Sequence, residues 1–255
     1  IMKFYDPKTL PVSITGSRCG LKCDHCRGHY LGAMATPDEA VLTGASSLLI
    51  SGGFNKEGHL PLSENRETLL KLHASITKLN IHPGFLTTKD IELLKELKPV
   101  ISFDFTQDNK VITEIYHLRK TPADYVSEYL RLKQNGLEVV PHICLGLGTE
   151  DQKTLDKIVE LNPVKVVLLV FRPTKNTPLQ EKASLEINYL KELWGRFRQG
   201  YKGELILGCM RPGGLYRQTI DELAARIGFD GIVKPAPQLK KEFPTAKLIT
   251  ECCAF

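Results

Sequence analysis

The stretch VSITGSRCGLKCDHC, residues Val12–Cys26, decides the fold class of this chain of 255 residues. It opens with a short β-branched run typical of a buried strand, and Gly16 then leads into a loop that carries three cysteines. Similar runs recur at 47–50, 83–86, 100–105, 138–143, 165–171, 204–207 and 230–233, with helix-like segments between them. Eight strand–helix units with short links predict parallel strands joined by helical crossovers.

Helix start signals mark the segments between the strands. Thr36 and Thr121 are each followed by a proline at the first helical position, and 149–152 has the form of a capping box. Further helices are predicted at 64–77, 89–97, 185–198 and 217–227. A closed (β/α)8 barrel and an open sheet with helices on both faces both fit, and the number of units favours the barrel. We therefore predict one α/β domain over residues 1–255, a (β/α)8 TIM-like barrel whose C-terminal tail, about residues 236–255, closes over the barrel mouth.

The composition is that of an ordinary globular protein. Hydrophobic residues make up 42% and charged residues 25% of the chain, and no block of like charge accounts for the net charge of +5. No apolar run approaches the roughly 18–20 residues of a membrane span, so we predict neither a nucleic-acid nor a membrane partner. The seven cysteines are odd in number and unevenly placed, and the N-terminus lacks a signal-peptide core. These features predict a reducing, cytoplasmic location.

The three cysteines of the loop, Cys19, Cys23 and Cys26, have the spacing C-x3-C-x2-C. Three thiolates this close can bind three irons of a [4Fe–4S] cluster and leave the fourth iron open to a substrate or cofactor. A zinc knuckle, with His25 or His29 as the fourth ligand, is the alternative. In a barrel, a loop that directly follows a strand lies where active sites form, which favours a catalytic cluster.

This loop resembles the signature of the radical S-adenosylmethionine (SAM) superfamily. The resemblance implies that the three cysteines hold the catalytic [4Fe–4S] cluster and that SAM binds its open iron. It also implies a TIM-like barrel of the radical SAM type and a set of SAM contacts. His25, before the third cysteine, would lie near the adenine, and Ser51-Gly52-Gly53 would contact the methionyl amino group.

Two further segments resemble SAM-binding loops of the same superfamily. The segment 143–150 contains Gly146 and is similar to the glycine-containing adenine segment, while Arg172 and Pro173 follow the sixth predicted strand. Asp104, at the end of the fourth predicted strand, is expected to face the ribose. Ordinary strand-to-helix turns would explain these segments equally well.

Four cysteines remain outside the loop: Cys144, Cys209, Cys252 and Cys253. Four is the number that binds a second [4Fe–4S] cluster, and two of them end predicted strands. We predict that they bind an auxiliary cluster. Packing of small buried side chains and docking of the tail are the alternative.

Over most of its length the chain looks like the biotin synthase-like branch of the superfamily. Val12–Met34 and Gly208–Gly214 are similar to the smaller partner in a group of two-protein lipoyl synthases of archaeal type. The resemblance implies a sulfur-inserting enzyme acting on an octanoyl-lysine chain of a lipoyl carrier protein or peptide. A second biotin synthase-like radical SAM protein and a low-potential electron donor would be its partners.

The chain departs from single-chain lipoyl synthases in two respects. Their N-terminal three-cysteine auxiliary motif is not found in the eighteen residues before Cys19, and their C-terminal serine ligand is not found either. An auxiliary cluster must therefore use the late cysteines. Two other functions stay open: a radical SAM enzyme with another thiolation, methylation or rearrangement, and a non-catalytic iron–sulfur or zinc scaffold.

Overall fold

Ten strands form one sheet in the computed structural model, which describes residues 1–76 and 78–255. They are β1 (Lys3–Tyr5), β2 (Leu10–Ser13), β3 (Ser47–Ser51), β4 (Lys78–Ile81), β5 (Val100–Asp104), β6 (Glu138–Leu145), β7 (Lys165–Val170), β8 (Glu204–Leu207), β9 (Gly231–Val233) and β10 (Lys247–Ile249). Their order is β10-β1-β9-β8-β7-β6-β5-β4-β3-β2, and every neighbouring pair is parallel. All carboxyl ends therefore lie at one end of the sheet, called the upper end below, and all amino ends at the lower end.

Helices supply most of the crossovers between the parallel strands. They are α1 (Pro37–Thr43), α2 (Arg66–Ser75), α3 (Thr88–Leu97), α4 (Pro122–Gln134), α5 (Asp151–Leu161), α6 (Ile187–Gly200), α7 (Gly214–Ile227) and α8 (Pro237–Glu242). The predicted starts at Thr36 and Thr121 are confirmed, because both threonines form complete capping boxes with proline at the start of the helix. The predicted end of the second helix at Thr77 lies outside the described residues. Within 1–76 and 78–255, no helix has the length and apolar character needed to cross a bilayer.

A short link in the chain, and not strand pairing, brings the two ends of the sheet together. Among the described residues, β2 and β10 do not pair with each other. However, β1 pairs with β9 and β10, whereas β2 pairs with β3, and only residues 6–9 separate β1 from β2. So short a link spans at most about 18 Å, so the sheet must curl round until its ends are neighbours. The predicted TIM-like α/β fold is confirmed, with β1 and β10 as two strands beyond the expected eight.

Each strand presents one face to the helices and the other to the inside of the curled sheet, called the lumen below. On β6, Ile143 and Leu145 belong to the large apolar cluster that includes residues of the helices. Val140 belongs to a second cluster, with inward residues of neighbouring strands such as Val167 and Ile206. Because side chains alternate along a strand, His142 and Cys144 share the inward face with Val140. The lumen is thus apolar at its lower end and polar higher up.

The C-terminal tail plugs the lower end of the lumen. Cys253 and Ala254 are 6% and 0% exposed and pack in the inner apolar cluster with residues such as Val140. The tail is anchored by the ion pair of Lys78 with Glu251, 2.7 Å apart, at the first residue of β4. The tail was predicted to close over the barrel mouth, where barrel active sites form, but it lies under the amino ends of the strands.

One strand was predicted in the wrong place. The run 83–86 is a loop, and β4 lies just before it at Lys78–Ile81. Pro83 cannot donate to a ladder, and Gly84 has a φ of 68°, so neither fits a central strand. The strand itself contains the buried polar residue Asn80, which broke the apolar pattern in the sequence.

Candidate functional site

The loop that carries the three cysteines begins where β2 ends, at the upper end of the lumen. The thiols of Cys23 and Cys26 and a ring nitrogen of His25 lie within 4.8 Å of one another. Cys19 lies outside this group, and its thiol is 3.9 Å from the carbonyl oxygen of Phe54. The sequence-predicted loop therefore does bring donors of the type that bind iron or zinc to one place.

The two neighbouring thiols of this loop hold their protons very differently. A hydrogen bond with Cys23 lowers the pKa of Cys26 against the opposing effect of burial, and His25 contributes to the lowering. The same hydrogen bond, with burial, raises the pKa of Cys23. Cys26 is therefore the more acidic of the two thiols, and the thiolate is the form that binds metals. The donor set fits a cationic metal centre.

The predicted glycine turn packs directly against the cysteine loop. A Cβ on Gly53 would lie 1.8 Å from the carbonyl oxygen of Arg18, so only glycine fits there. The Gly53 amide donates to the hydroxyl of Thr15 at 2.6 Å, and the Gly20 amide donates to the Phe54 carbonyl at 2.7 Å. Loop and turn form one unit, which fixes where the three thiols stand.

His25 lies inside this unit against an aromatic ring from another loop. Its ring meets that of Tyr116 edge-on, with centroids 5.4 Å apart. Its Nδ1 is buried and has no hydrogen-bond partner in the described structure. An orphaned buried nitrogen beside thiolates is a donor that a bound group would satisfy.

Asp104 reaches the lumen from the end of β5 and pairs with a residue that the sequence did not single out. The carboxylate lies 3.0 Å from Nε2 of His82, just after β4. Burial opposes ionisation of both groups, but their charges outweigh it, so the pKa of Asp104 is lowered and that of His82 is raised. The nearby His142 has its pKa lowered to about 4 by burial and is neutral. The sequence signal for His82 would have been its position directly after β4, since polar residues at the carboxyl ends of strands form the active sites of barrels.

Gly146 and the loop after β7, which begins at Arg172, were both predicted to bind SAM, and they lie in different surroundings. The Gly146 amide donates to both carboxylate oxygens of Asp151, at 3.2 and 3.1 Å. Arg172 is exposed, and the loop that it begins crosses to the cysteine loop, where the Thr174 and Tyr30 hydroxyls are 2.9 Å apart. This loop therefore covers part of the upper end.

The capping box predicted at 149–152 is wrong. No side chain caps the start of α5 at Glu150. Instead Asp108, from the loop after β5, accepts the Thr149 and Glu150 amides at 2.8 and 3.0 Å. A carboxylate distant in sequence thus does the work that the local pattern had assigned to residues within the segment.

A cavity of about 430 Å³ opens beside the three thiols. It brings together many of the predicted site residues, namely Cys19, Cys23, Cys26, His25, Ser51, Gly52 and Asp104. Gly53, Gly146, Arg172 and Pro173 do not line it. Apolar side chains of the first strands and the following segment form one side, namely Pro11, Leu31, Ala33, Met34 and Leu49.

The four late cysteines lie in three different places. Cys252 and Cys253 lie in the tail at the lower end, where the Cys252 thiol is 3.3 Å from the Asn80 amide nitrogen. Cys209 lies just after β8 and is accessible to solvent, but desolvation by the surrounding protein and the charge of Cys252 raise its pKa. Cys144 instead packs against the cluster of Val111, Leu147 and Phe171.

Arg211, beside Cys209, is fully committed to the protein. It forms a two-point ion pair with Asp221, with both side chains 0% exposed and the closer contact at 2.7 Å. The same guanidinium donates to the carbonyl oxygens of Gly208, Val233 and Lys234. It anchors the loop that carries Cys209 through hydrogen bonds from all three of its nitrogen atoms.

No protein-family model matches the chain, and no curated protein matches its sequence. Solved structures do match. Methylornithine synthase (PylB) has a TM-score of 0.62 at 16% identity, over 90% of this chain and 73% of its own. HydG, a maturase of the [FeFe]-hydrogenase, has a TM-score of 0.63 at 16% identity, over 91% of this chain and 56% of its own. Coproporphyrinogen III oxidase (HemN) from Escherichia coli, described as a radical SAM enzyme, has a TM-score of 0.50 at 14% identity, over 78% of this chain and 52% of its own.

These similarities show a shared fold. The chain spans only a little over half the length of HydG and of HemN. At such identities the fold alone does not assign a reaction, because one fold supports many chemistries.

Proposed function

We propose that this chain is a radical SAM enzyme and that Cys19, Cys23 and Cys26 hold its [4Fe–4S] cluster. The observation that carries the proposal is their place in the fold. The three thiols stand at the upper end of a parallel α/β sheet shared with a radical SAM enzyme, beside a cavity of about 430 Å³. The lowered pKa of Cys26 and the orphaned Nδ1 of His25 support a metal centre at this place.

When bound, the cluster and SAM supply a 5′-deoxyadenosyl radical that abstracts hydrogen from an unactivated carbon. The protein's own residues bind and orient. Ser51 and Gly52 line the cavity wall that would meet the methionyl group, and Gly53 fixes that wall to the cysteine loop. His25 would lie by the adenine, and Asp104, held by His82, offers its second carboxylate oxygen to the ribose. Gly146, Arg172 and Pro173 would complete the SAM site from the covering loops.

The substrate proposed from the resemblance is an octanoyl chain on a lysine of a lipoyl carrier protein. The apolar side of the cavity favours a hydrocarbon, since Leu31, Met34 and Leu49 offer no polar partner. Sulfur would come from an auxiliary cluster on the late cysteines, two of which, Cys252 and Cys253, lie in the lower lumen. A second biotin synthase-like protein would complete the reaction, and a low-potential donor would supply the electrons.

The test is an anaerobic assay of reconstituted protein with SAM, dithionite and an octanoyl-lysyl peptide, with and without candidate partner proteins. We expect a thiolated peptide, with at most one thiolated carbon from this chain alone. The full dithiolane made by this chain alone would contradict the need for a partner. A peptide recovered unchanged, despite formation of 5′-deoxyadenosine, would contradict the octanoyl substrate but not radical chemistry.

A zinc scaffold is the competing function, and one observation favours it: a ring nitrogen of His25 lies within 4.8 Å of the thiols of both Cys23 and Cys26. Metal analysis separates the two. One zinc and no sulfide in protein purified without oxygen would contradict the cluster, whereas about four irons and four sulfides per site support it.

A further inference from the structure

An exposed cation is the direct chain neighbour of each cysteine in the loop. They are Arg18 before Cys19, Lys22 before Cys23 and Arg27 after Cys26. Neighbouring Cα atoms are about 3.8 Å apart, so each cation is held close to a proposed cluster ligand. The three thiols line the cavity, whereas the three cations are exposed to solvent and stand outside it. The cations therefore mark the outer, solvent side of the loop.

Backbone contacts bring these three cations onto one compact surface. The Arg27 amide donates to the carbonyl oxygen of Cys23 at 2.9 Å, so Arg27 is close to Lys22. A Cβ on Gly28 would lie 3.6 Å from the Cβ of Cys19. The turn that carries the third cation therefore also packs on the segment that carries the first.

A fourth exposed cation reaches the same surface from the loop after β5. Nε2 of His117 lies 3.1 Å from the Asp24 carboxylate, and the Asp24 amide donates to the Ile115 carbonyl oxygen at 2.9 Å. These contacts attach the end of that loop to the cysteine loop. Arg119, two residues after His117, is exposed. The basic face, as it is called below, consists of the exposed side chains of Arg18, Lys22, Arg27 and Arg119.

The basic face keeps most of its positive charge. The only acid in residues 14–36 is Asp24, whose carboxylate binds Arg27 at 2.9 Å. Among residues 1–76 and 78–255, the other three cations of the face form no ion pair. Two cations in the neighbouring loops offset two exposed acids there, namely Lys56 and Lys120 against Glu57 and Glu114. The face is therefore cationic and would repel a basic partner.

Electrons must reach the cluster from the outer side of this loop. SAM and the substrate would fill the cavity side, and a protein is far too large to enter a space of about 430 Å³. The basic face is the solvent-exposed surface beside the three thiols. Opposite charges speed the encounter of two proteins and fix their orientation, so the partner that fits this face is acidic.

We propose that the basic face docks an acidic, low-potential electron-transfer protein that reduces the cluster. This inference rests on the proposed function for the presence of the cluster. In the docked complex the partner is oxidised by one electron and the [4Fe–4S]2+ cluster is reduced to [4Fe–4S]1+, while no bond forms or breaks and no proton moves. The cations of the face bind and orient the partner.

The docking surface is tested by the rate at which a reduced, acidic plant-type [2Fe–2S] ferredoxin reduces the cluster, followed by stopped-flow absorbance. The face variant combines Arg18→Gln, Lys22→Gln and Arg119→Gln, and it keeps Arg27 because that side chain binds Asp24. The control variant removes three exposed lysines from other parts of the surface, namely Lys191→Gln, Lys202→Gln and Lys241→Gln.

At low salt we expect the face variant to react about tenfold more slowly than the wild type and the control variant. At about 1 M salt, where the Debye length is about 3 Å, all three proteins should react alike. Equal rates for the two variants at low salt would overturn the proposal. The methyl viologen radical cation is small and needs no docking, so it should reduce all three proteins at similar rates. A face variant that is equally slow with viologen would place the defect in the cluster and also overturn the proposal.

Binding of the oxidised ferredoxin, measured by calorimetry, requires neither a cluster nor SAM. We expect the face variant to bind several-fold more weakly than the wild type, and the control variant to bind like the wild type. A wild type that holds a reducible cluster but binds no ferredoxin would overturn this inference and leave the radical function standing. A wild type that holds zinc instead, yet binds ferredoxin through the basic face, would refute the proposed function and leave the docking surface standing. Binding of a duplex oligonucleotide in place of the ferredoxin would assign the face to nucleic acid and overturn the proposal.

Discussion

Gly53→Ala should displace the cysteine loop, because the turn and the loop touch through backbone atoms. The added Cβ would stand 1.8 Å from the Arg18 carbonyl oxygen and 2.6 Å from the Cys19 Cα. Neither atom is the end of a flexible side chain, so the loop or the turn must move by roughly 1.5 Å to reach van der Waals contact. Gly53 is not among the glycines with positive φ, so contact alone sets the constraint.

Overpacking of this kind costs about 1–3 kcal/mol, and a backbone contact belongs at the upper limit. For a chain of this size that corresponds to a fall of roughly 5–10 °C in Tm. A shift of about 1 Å at a positioned reactive group lowers a rate by roughly 100-fold, so formation of 5′-deoxyadenosine should fall at least that much.

The assay combines thermal unfolding, iron counting and 5′-deoxyadenosine formation under anaerobic conditions. Gly195→Ala is the matched control, because it lies inside α6 with nothing within 4 Å of the added Cβ. That substitution should leave activity unchanged and raise stability by about 0.5–1 kcal/mol. A Gly53→Ala variant with the Tm, iron content and activity of the wild type would refute the argument.

Three further outcomes follow from individual side-chain contacts. Asp221→Ala should lower the free energy of unfolding by about 3–5 kcal/mol, because it leaves Arg211 charged and buried. The control, Glu222→Ala in the exposed pair with Arg226, should lower it by under about 1 kcal/mol. Equal losses for the two variants in urea unfolding would contradict this prediction. Burial raises the pKa of Asp151 to about 6, so the wild type loses stability as the pH rises from about 4 to 6. The free energy of unfolding of Asp151→Asn should therefore exceed that of the wild type by about 2–3 kcal/mol at pH 8 but not at pH 4. Urea midpoints at the two pH values check this, and a variant destabilised at pH 8 speaks against it. Tyr30→Phe should cost about 0.5–1.5 kcal/mol and speed proteolysis of the loop after β7, which mass spectrometry of early fragments would detect.

The fold was largely predictable because its signals are local and periodic. β8 begins and ends where the sequence predicted, and the prolines after Thr36 and Thr121 mark true helix starts. β4 was missed because Asn80 is polar; it is buried only because Cys252 and Ser102, both distant in sequence, satisfy its amide. No local pattern reveals such a partner.

The cysteine loop of the candidate site was predictable from the sequence, but the contacts between segments distant in sequence were not. The spacing of Cys19, Cys23 and Cys26 lies within one short segment, so sequence alone brings them together. The pairing of Asp104 with His82 depends on the register of neighbouring strands, which cannot be read from the sequence alone. The position of Cys252 depends on which end of the lumen the tail enters, and only the packing of Cys253 and Ala254 reveals it.

The central claim is that the loop of three cysteines supports reductive cleavage of SAM. The most direct measurement is 5′-deoxyadenosine formed by anaerobically reconstituted protein with SAM and dithionite, compared with the Cys19→Ala, Cys23→Ala, Cys26→Ala triple variant. The account predicts product from the wild type and none from the triple variant, whose circular dichroism should stay close to that of the wild type because these thiols lie on a loop. Equal product from both, or none from a wild type that holds its full iron, would contradict it.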